Sequence, residues 1–109
     1  MKLKICIPFL VILLFVLTST SFSQLMDGEY SVGKTSCTIE SAGPTLSVYW
    51  KDGVGSTKLS FAEELPNGNL VYDEYDGDTW TGQFIFKNST FNSGIYERAD
   101  GKRFNLKRR

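Results

Sequence analysis

From residue 28 onward, large apolar side chains alternate with polar ones in short runs, and Gly, Asn, Asp or Pro interrupt the runs at regular intervals. Successive side chains of a β-strand point to opposite faces, so this period of two predicts strands with one buried face. No stretch of this region repeats apolar residues with the helical period of about 3.6. The alternation therefore indicates an all-β fold.

The turn signals divide this region into about eight short strands. We predict them at residues 28–32, 36–41, 45–51, 57–62, 69–75, 80–87, 94–98 and 103–107. The connections are short, which favours pairing of consecutive strands in an antiparallel up-and-down meander. Such a meander has two exposed sheet edges unless it curls, so we expect a closed or half-open barrel.

One face of the predicted strands is rich in aromatic rings. The core candidates on this face are Tyr30, Val32, Cys37, Ile39, Leu46, Val48, Trp50, Leu59, Phe61, Leu70, Tyr72, Trp80, Phe84, Phe86, Tyr96, Phe104 and Leu106. A barrel of eight strands is narrow enough for its own side chains to fill it. We therefore expect a packed interior without a roomy ligand cavity.

The last hairpin allows its pairing to be predicted. A two-residue loop would place Arg98 opposite Arg103, and like charges in that position are unfavourable. A three-residue loop at residues 99–101, with Gly101 in the left-handed conformation, pairs Glu97 with Arg103 instead. We expect the three-residue loop.

The N-terminal region has a different pattern. Lys2 and Lys4 precede an uncharged apolar run at residues 5–17, and small polar residues follow it. The run is shorter than the roughly 20 residues that span a bilayer. This pattern is typical of a cleavable secretory signal peptide. We predict a signal at residues 1–23, one small β-barrel-like domain at residues 24–109, and a secreted or periplasmic location; an N-terminal anchor is the alternative.

Composition argues against catalysis. The chain contains no histidine, which excludes Ser–His and Cys–His nucleophile pairs and histidine metal ligands. Cys37 is the one cysteine beyond the predicted signal, and we interpret it as a small buried hydrophobe. An intermolecular disulfide or a reactive thiol are its alternatives. We expect a protein that is not an enzyme and holds no cofactor or metal.

Residues 28–35 match the phosphate-loop pattern G-x-x-x-x-G-K-[ST] letter for letter. That loop requires a helix immediately after it, whose N-terminus helps to hold the phosphates. The residues after Thr35 alternate like a strand. We therefore predict that Gly33 and Lys34 form a hairpin turn.

Charge is distributed unevenly along a chain with 12 cationic and 12 acidic residues. From Glu63 to Asp78 there are six acids and no base, whereas Arg98 begins a segment of six bases and one acid. Loss of the two signal lysines would leave a small negative charge, which argues against a nucleic-acid partner. We expect the acids to form a solvated turn, neutralised by the basic C-terminal strand or, as a weaker alternative, binding calcium.

The face opposite the core carries a second apolar set, which would point outward. Its members are Tyr49, Val71, Tyr75, Ile85 and Ile95. Contiguous exposed apolar surface usually marks a docking site. We predict that these residues, with Asp76 and Asp78, bind a protein or glycan partner. A second copy of the chain is also an allowed partner. The alternative is a carrier of a small apolar ligand inside the barrel.

Two short segments resemble known barrel families. Cys37 with the following strand at residues 45–49, and the later Ser93-Gly94-Ile95-Tyr96, resemble the small periplasmic lysozyme-inhibitor barrels. The second cysteine of that family has no counterpart in this domain. Gly28-Glu29-Tyr30 resembles the opening of lipocalin-like barrels. The first resemblance implies a small secreted inhibitor of a cell-wall hydrolase as a further hypothesis.

Overall fold

The computed structural model describes residues 25–53 and 55–109, which form a closed antiparallel barrel of eight strands. The strands are β1 Gly28–Val32, β2 Thr35–Ala42, β3 Thr45–Trp50, β4 Ser56–Glu64, β5 Leu70–Asp76, β6 Thr79–Phe86, β7 Ser93–Arg98 and β8 Arg103–Arg108. Each strand pairs with its neighbours in the chain, and β8 pairs with β1. The predicted all-β meander is confirmed and is closed. The predicted signal, residues 1–23, lies outside the described residues.

Among the described residues, one short 3-10 helix is present, Asn88–Thr90, between β6 and β7. Within the described ranges, no helix is long and apolar enough to cross a membrane.

Two predictions about turns are confirmed. Glu97 lies opposite Arg103 in the last hairpin, whose Gly101 has a φ of 89°. Gly33 and Lys34 connect β1 to β2, so the phosphate-loop pattern covers a strand and a hairpin turn.

The two ends of the barrel differ. The turns after β1, β3, β5 and β7 lie at one end, which we call the open end. The turns after β2, β4 and β6, with the residues before β1, lie at the other, which we call the plugged end. Met26 and Phe91 are fully buried there and belong to the hydrophobic core. Met26 is fixed by the Tyr30 hydroxyl, which donates a 2.7 Å hydrogen bond to its carbonyl oxygen.

The core contains the predicted inward residues, with two exceptions. Aromatic rings contact one another through the barrel, with centroids 4.9 Å apart for Phe84 and Tyr96 and 5.1 Å apart for Trp50 and Tyr96. Trp50 and Phe104 are half-buried and pack against this cluster. The exceptions are Phe61 and Trp80, which are exposed.

Trp80 was expected in the core, and a β-bulge explains why it lies outside. Glu74 pairs with Gly82, but the next residue of β5, Tyr75, pairs with Trp80. Thr81 is therefore an extra residue in β6. Since one extra residue reverses the side to which a strand residue points, Trp80 shares the outer face with Tyr75 and is 40% exposed.

Phe61 was also expected in the core. It lies in the part of β4 that extends beyond the last residue paired with β3. Pairing between β3 and β4 ends at Leu46 and Leu59, whereas β4 continues to Glu64. The Phe61 ring still contacts Tyr72, with centroids 5.4 Å apart. It is 54% exposed because β3 does not pair with this part of β4.

Candidate functional site

The hairpin between β5 and β6 carries two aromatic rings and one carboxylate on its outer surface, and two more carboxylates lie at its turn. Tyr75 lies directly opposite Trp80, and the Trp80 indole donates a 3.1 Å hydrogen bond from Nε1 to Asp73 Oδ1. Asp76 ends β5 and Asp78 lies in the turn, and both are exposed. We call these five residues the acidic–aromatic face. Its tyrosine and two of its acids were predicted as binding residues, whereas Trp80 was missed.

The carboxylates of this face form no ion pair with a base of the described residues. The ion pairs of the described residues join Arg98 to Asp100, Arg103 to Glu97 and Arg109 to Glu29. The expectation that the basic C-terminal strand neutralises the acidic turn is therefore wrong. The reason is topological: β8 pairs with β7 and β1, so β6 and β7 separate it from β5.

Three other predicted binding residues form a row across the sheet. Val71 pairs with Ile85, and Ile85 pairs with Ile95. Val71 was expected to be exposed, but it is only 6% exposed, flanked by its cross-strand neighbours Ile85 and Glu63. Ile85 and Ile95 are half-buried and line a shallow depression of about 520 Å³. This row is contiguous, but it offers less surface than the sequence suggested.

Tyr49 is 45% exposed, as expected, but it stands apart. It lies on β3 opposite Ser56, and β4 separates it from Tyr75 on β5. The predicted patch is therefore divided into three places: Tyr49, the Val71–Ile95 row, and the acidic–aromatic face.

One member of the acidic segment lies inside the barrel. Glu74 was expected to be solvated at the turn, but it is 1% exposed. It follows Leu70 and Tyr72 at intervals of two along β5, so its side chain points inward with theirs. Its Oε2 accepts hydrogen bonds from Trp50 Nε1 at 2.8 Å and from Thr57 Oγ1 at 2.5 Å.

The other carboxylate oxygen of Glu74 accepts a 2.7 Å hydrogen bond from the Tyr96 hydroxyl. Burial raises the pKa of Tyr96, and the hydrogen bond to Glu74 raises it further. Burial also raises the pKa of the Cys37 thiol to about 12, with a smaller contribution from the Glu74 charge. These groups keep their protons at neutral pH, which lets Tyr96 act as a fixed donor.

A pocket of about 420 Å³ opens at the open end of the barrel. Its walls include the inward residues Val32, Trp50, Tyr96 and Phe104. The core residues of the barrel are buried as expected, and this pocket is an open depression at the mouth of the barrel, above the packed core. The plugged end has Met26 and Phe91 across its core, whereas Trp50 and Phe104 at the open end are only half-buried.

Within the part of the chain that the structure describes, no group of three or more His, Cys, Asp or Glu side chains is arranged to hold a metal ion. Comparison of the chain with protein-family models, with curated proteins and with solved structures finds no match. Hypotheses about its function therefore rest on the geometry of a small eight-stranded barrel with an acidic–aromatic face and an open-end pocket.

Proposed function

We propose that this protein is a secreted or periplasmic, non-catalytic binding module that docks a partner protein through the acidic–aromatic face. The observation that carries the proposal is the bulge at Thr81, which places Trp80 beside Tyr75 on the outer surface. Trp and Tyr are the residue types that most often dominate binding energy at protein interfaces.

The surrounding charge indicates what kind of partner fits. Asp73, Asp76 and Asp78 form no ion pair with any described base. Unpaired carboxylates around an aromatic centre favour a partner surface that carries Lys or Arg next to apolar side chains. A glycan is the second possible occupant, because sugar rings stack on aromatic faces and sugar hydroxyls donate to carboxylates.

A binding role suits the carboxylates better than catalysis does. Glu74 is enclosed by three hydrogen-bond donors inside the barrel. Asp76 and Asp78 lie on an exposed hairpin, where no cleft would hold a substrate between two carboxylates, as glycoside hydrolysis requires. The positions of these carboxylates therefore favour a protein that is not an enzyme.

The test places a photo-crosslinking amino acid at Tyr75 and, as a control on the opposite side of the barrel, at Glu29, an exposed residue of β1. We expect adducts with extracellular or envelope proteins only from position 75. The captured protein is then purified and its affinity measured. Trp80→Ala should raise Kd at least tenfold, as truncation of a central interface aromatic does.

The matched variants decide the outcome. Asp76→Asn with Asp78→Asn should slow association and weaken its salt dependence, whereas Tyr49→Ala should leave Kd unchanged. Equal crosslinking from both positions, or an unchanged Kd for Trp80→Ala, would contradict the proposal. A cell-wall hydrolase as the captured partner would favour the inhibitor hypothesis.

A further inference from the structure

We propose that the open-end pocket binds a small aromatic carboxylate, independently of the acidic–aromatic face. The pocket holds about 420 Å³, within the usual range of roughly 300–1,000 Å³ for small-molecule sites. Met26 and Phe91 fill the opposite end of the barrel, so a ligand would enter and leave through the open end alone.

The wall of the pocket suits a flat apolar group. Trp50 and Tyr96 both line it, with ring centroids 5.1 Å apart and ring planes 56° apart. Both polar atoms of these rings donate to the buried Glu74 carboxylate. Because Glu74 already satisfies the indole N–H and the phenol O–H, the two rings offer the pocket apolar faces rather than unpaired donors.

Glu74 also fixes the orientation of this wall. Its two oxygens hold a ring on β3 and a ring on β7, and Thr57 Oγ1 on β4 donates to the same carboxylate at 2.5 Å. Rings that are held in one geometry before binding lose little conformational entropy when a ligand arrives. The buried carboxylate is thus a positioning residue for the pocket.

The rim offers a ligand one cation that has no ion pair. Lys34, Arg98 and Asp52 line the rim, and Asp100 neutralises Arg98, so Lys34 is the cation that can select a ligand's head group. Asp52 accepts a 2.5 Å hydrogen bond from Thr35 Oγ1. Arg98 is held by Asp100 at 2.5 Å and lies 5.7 Å from the Phe104 ring centroid. Lys34 forms no ion pair with any described acid, so its ammonium group is available to a ligand carboxylate.

The experiment uses the two tryptophans of the chain as reporters. Their indole N–H resonances are followed by NMR while 4-phenylbutyrate, 4-phenylbutan-1-ol or 4-phenylbutylamine is added. The three probes share one apolar body and differ in head-group charge. We expect saturable shifts of the Trp50 resonance, an unmoved Trp80 resonance, and affinity that falls from the carboxylate to the alcohol to the amine.

Variants of Lys34 test the head group. An exposed ion pair contributes up to about 1 kcal/mol, which corresponds to about a fivefold change in Kd. Lys34→Gln should therefore weaken 4-phenylbutyrate up to about fivefold and leave the alcohol unchanged. Lys102→Gln, which removes a lysine that does not line the pocket, should change neither.

Two results would overturn the inference. One is the absence of a saturable Trp50 shift with all three probes at millimolar concentration. The other is equal affinity for the carboxylate and the amine in the unmodified protein. A shift of the Trp80 resonance together with an unchanged Trp50 resonance would place the ligand on the acidic–aromatic face. That result would also contradict binding at the open-end pocket. Failure of the partner-docking experiment leaves these readouts unaffected.

Discussion

The Tyr96 hydroxyl donates a 2.7 Å hydrogen bond to the carboxylate of Glu74 in the interior of the barrel. An unpaired charge in such a place is strongly destabilising. Glu74 instead has three donors, from Tyr96, Trp50 and Thr57, which come from three different strands. No described buried side-chain nitrogen or oxygen atom of the domain lacks a partner. The carboxylate therefore links β3, β4, β5 and β7 across the core.

Removing parts of this network should destabilise the barrel in a defined order. Tyr96→Phe deletes one hydrogen bond to a charged acceptor, and we expect a loss of about 1.5–3 kcal/mol. Glu74→Leu leaves one buried and two half-buried donors without their acceptor, and the expected loss is larger. Urea unfolding at neutral pH measures both. A Glu74→Leu protein as stable as the unmodified one would show that desolvation of the carboxylate cancels its hydrogen bonds.

Phe84 and Phe61 provide a matched test of which side chains are buried in the barrel and which are exposed. Phe84 is fully buried among aromatic rings, so Phe84→Ala should lower the free energy of unfolding by about 3–5 kcal/mol. Phe61 is more than half exposed, and Phe61→Ala should lower it by less than about 1 kcal/mol. Tyr49→Ala should resemble Phe61→Ala. Equal losses in urea melts for the two phenylalanine variants would contradict the placement of Phe61.

The Cys37 thiol should be unreactive in the folded protein. It is buried and its pKa is raised to about 12, so thiolate is scarce at pH 8 and reagent access is blocked. We expect reaction with a disulfide reagent such as DTNB to proceed only as fast as the barrel opens, and to become rapid in urea. Rapid labelling without denaturant would favour the reactive-thiol alternative. Cys37→Ala gives the background rate.

Alkaline pH should unfold the protein. Burial raises the pKa of Tyr30 to about 12 and that of Cys37 to about 12, whereas in the unfolded chain these groups ionise near 10 and 8.5. The folded state then holds more protons than the unfolded one, so stability falls as pH rises. The stabilisation is complete below about pH 8.5 and is lost between there and pH 12.

The slope of this loss can be measured. Each group that is protonated only in the folded state lowers stability by about 1.4 kcal/mol per pH unit. Urea midpoints recorded from pH 8 to pH 11 should decline, and Cys37→Ala should remove the first part of the decline. Flat midpoints over that range would show that these groups are less buried than the structure places them.

The two failures of the inward–outward assignment have different physical origins. The period of two predicts a face correctly as long as each residue has one partner on the next strand. Thr81 adds an unpaired residue and turns Trp80 outward. Phe61 keeps its regular register opposite Tyr72 and is exposed because β4 extends beyond the last residue that pairs with β3. Neither irregularity leaves a local signal in the sequence, since both depend on how neighbouring strands align.

The candidate binding residues also divide into those that local sequence patterns predict and those that depend on the tertiary structure. Asp76 and Asp78 were recognisable as members of an exposed turn, because turn chemistry is local. Glu74 was assigned to the same solvated cluster although its alternation with Tyr72 points inward, since an acid is seldom buried. Its burial depends on three donors from β3, β4 and β7. The open-end pocket likewise depends on residues from five strands at the two ends of the domain's sequence.

The amino-acid sequence by itself determined the all-β class, the number and order of the strands, the register of the last hairpin and most of the core. These follow from alternation and turn chemistry, which act between residues close in the chain. Only the tertiary structure decided that Met26 and Phe91 plug one end, that Trp80 joins Tyr75, and that Glu74 holds Trp50 and Tyr96. The second depends on the bulge at Thr81, and the other two depend on the folding of the whole barrel, which brings distant segments of the chain together.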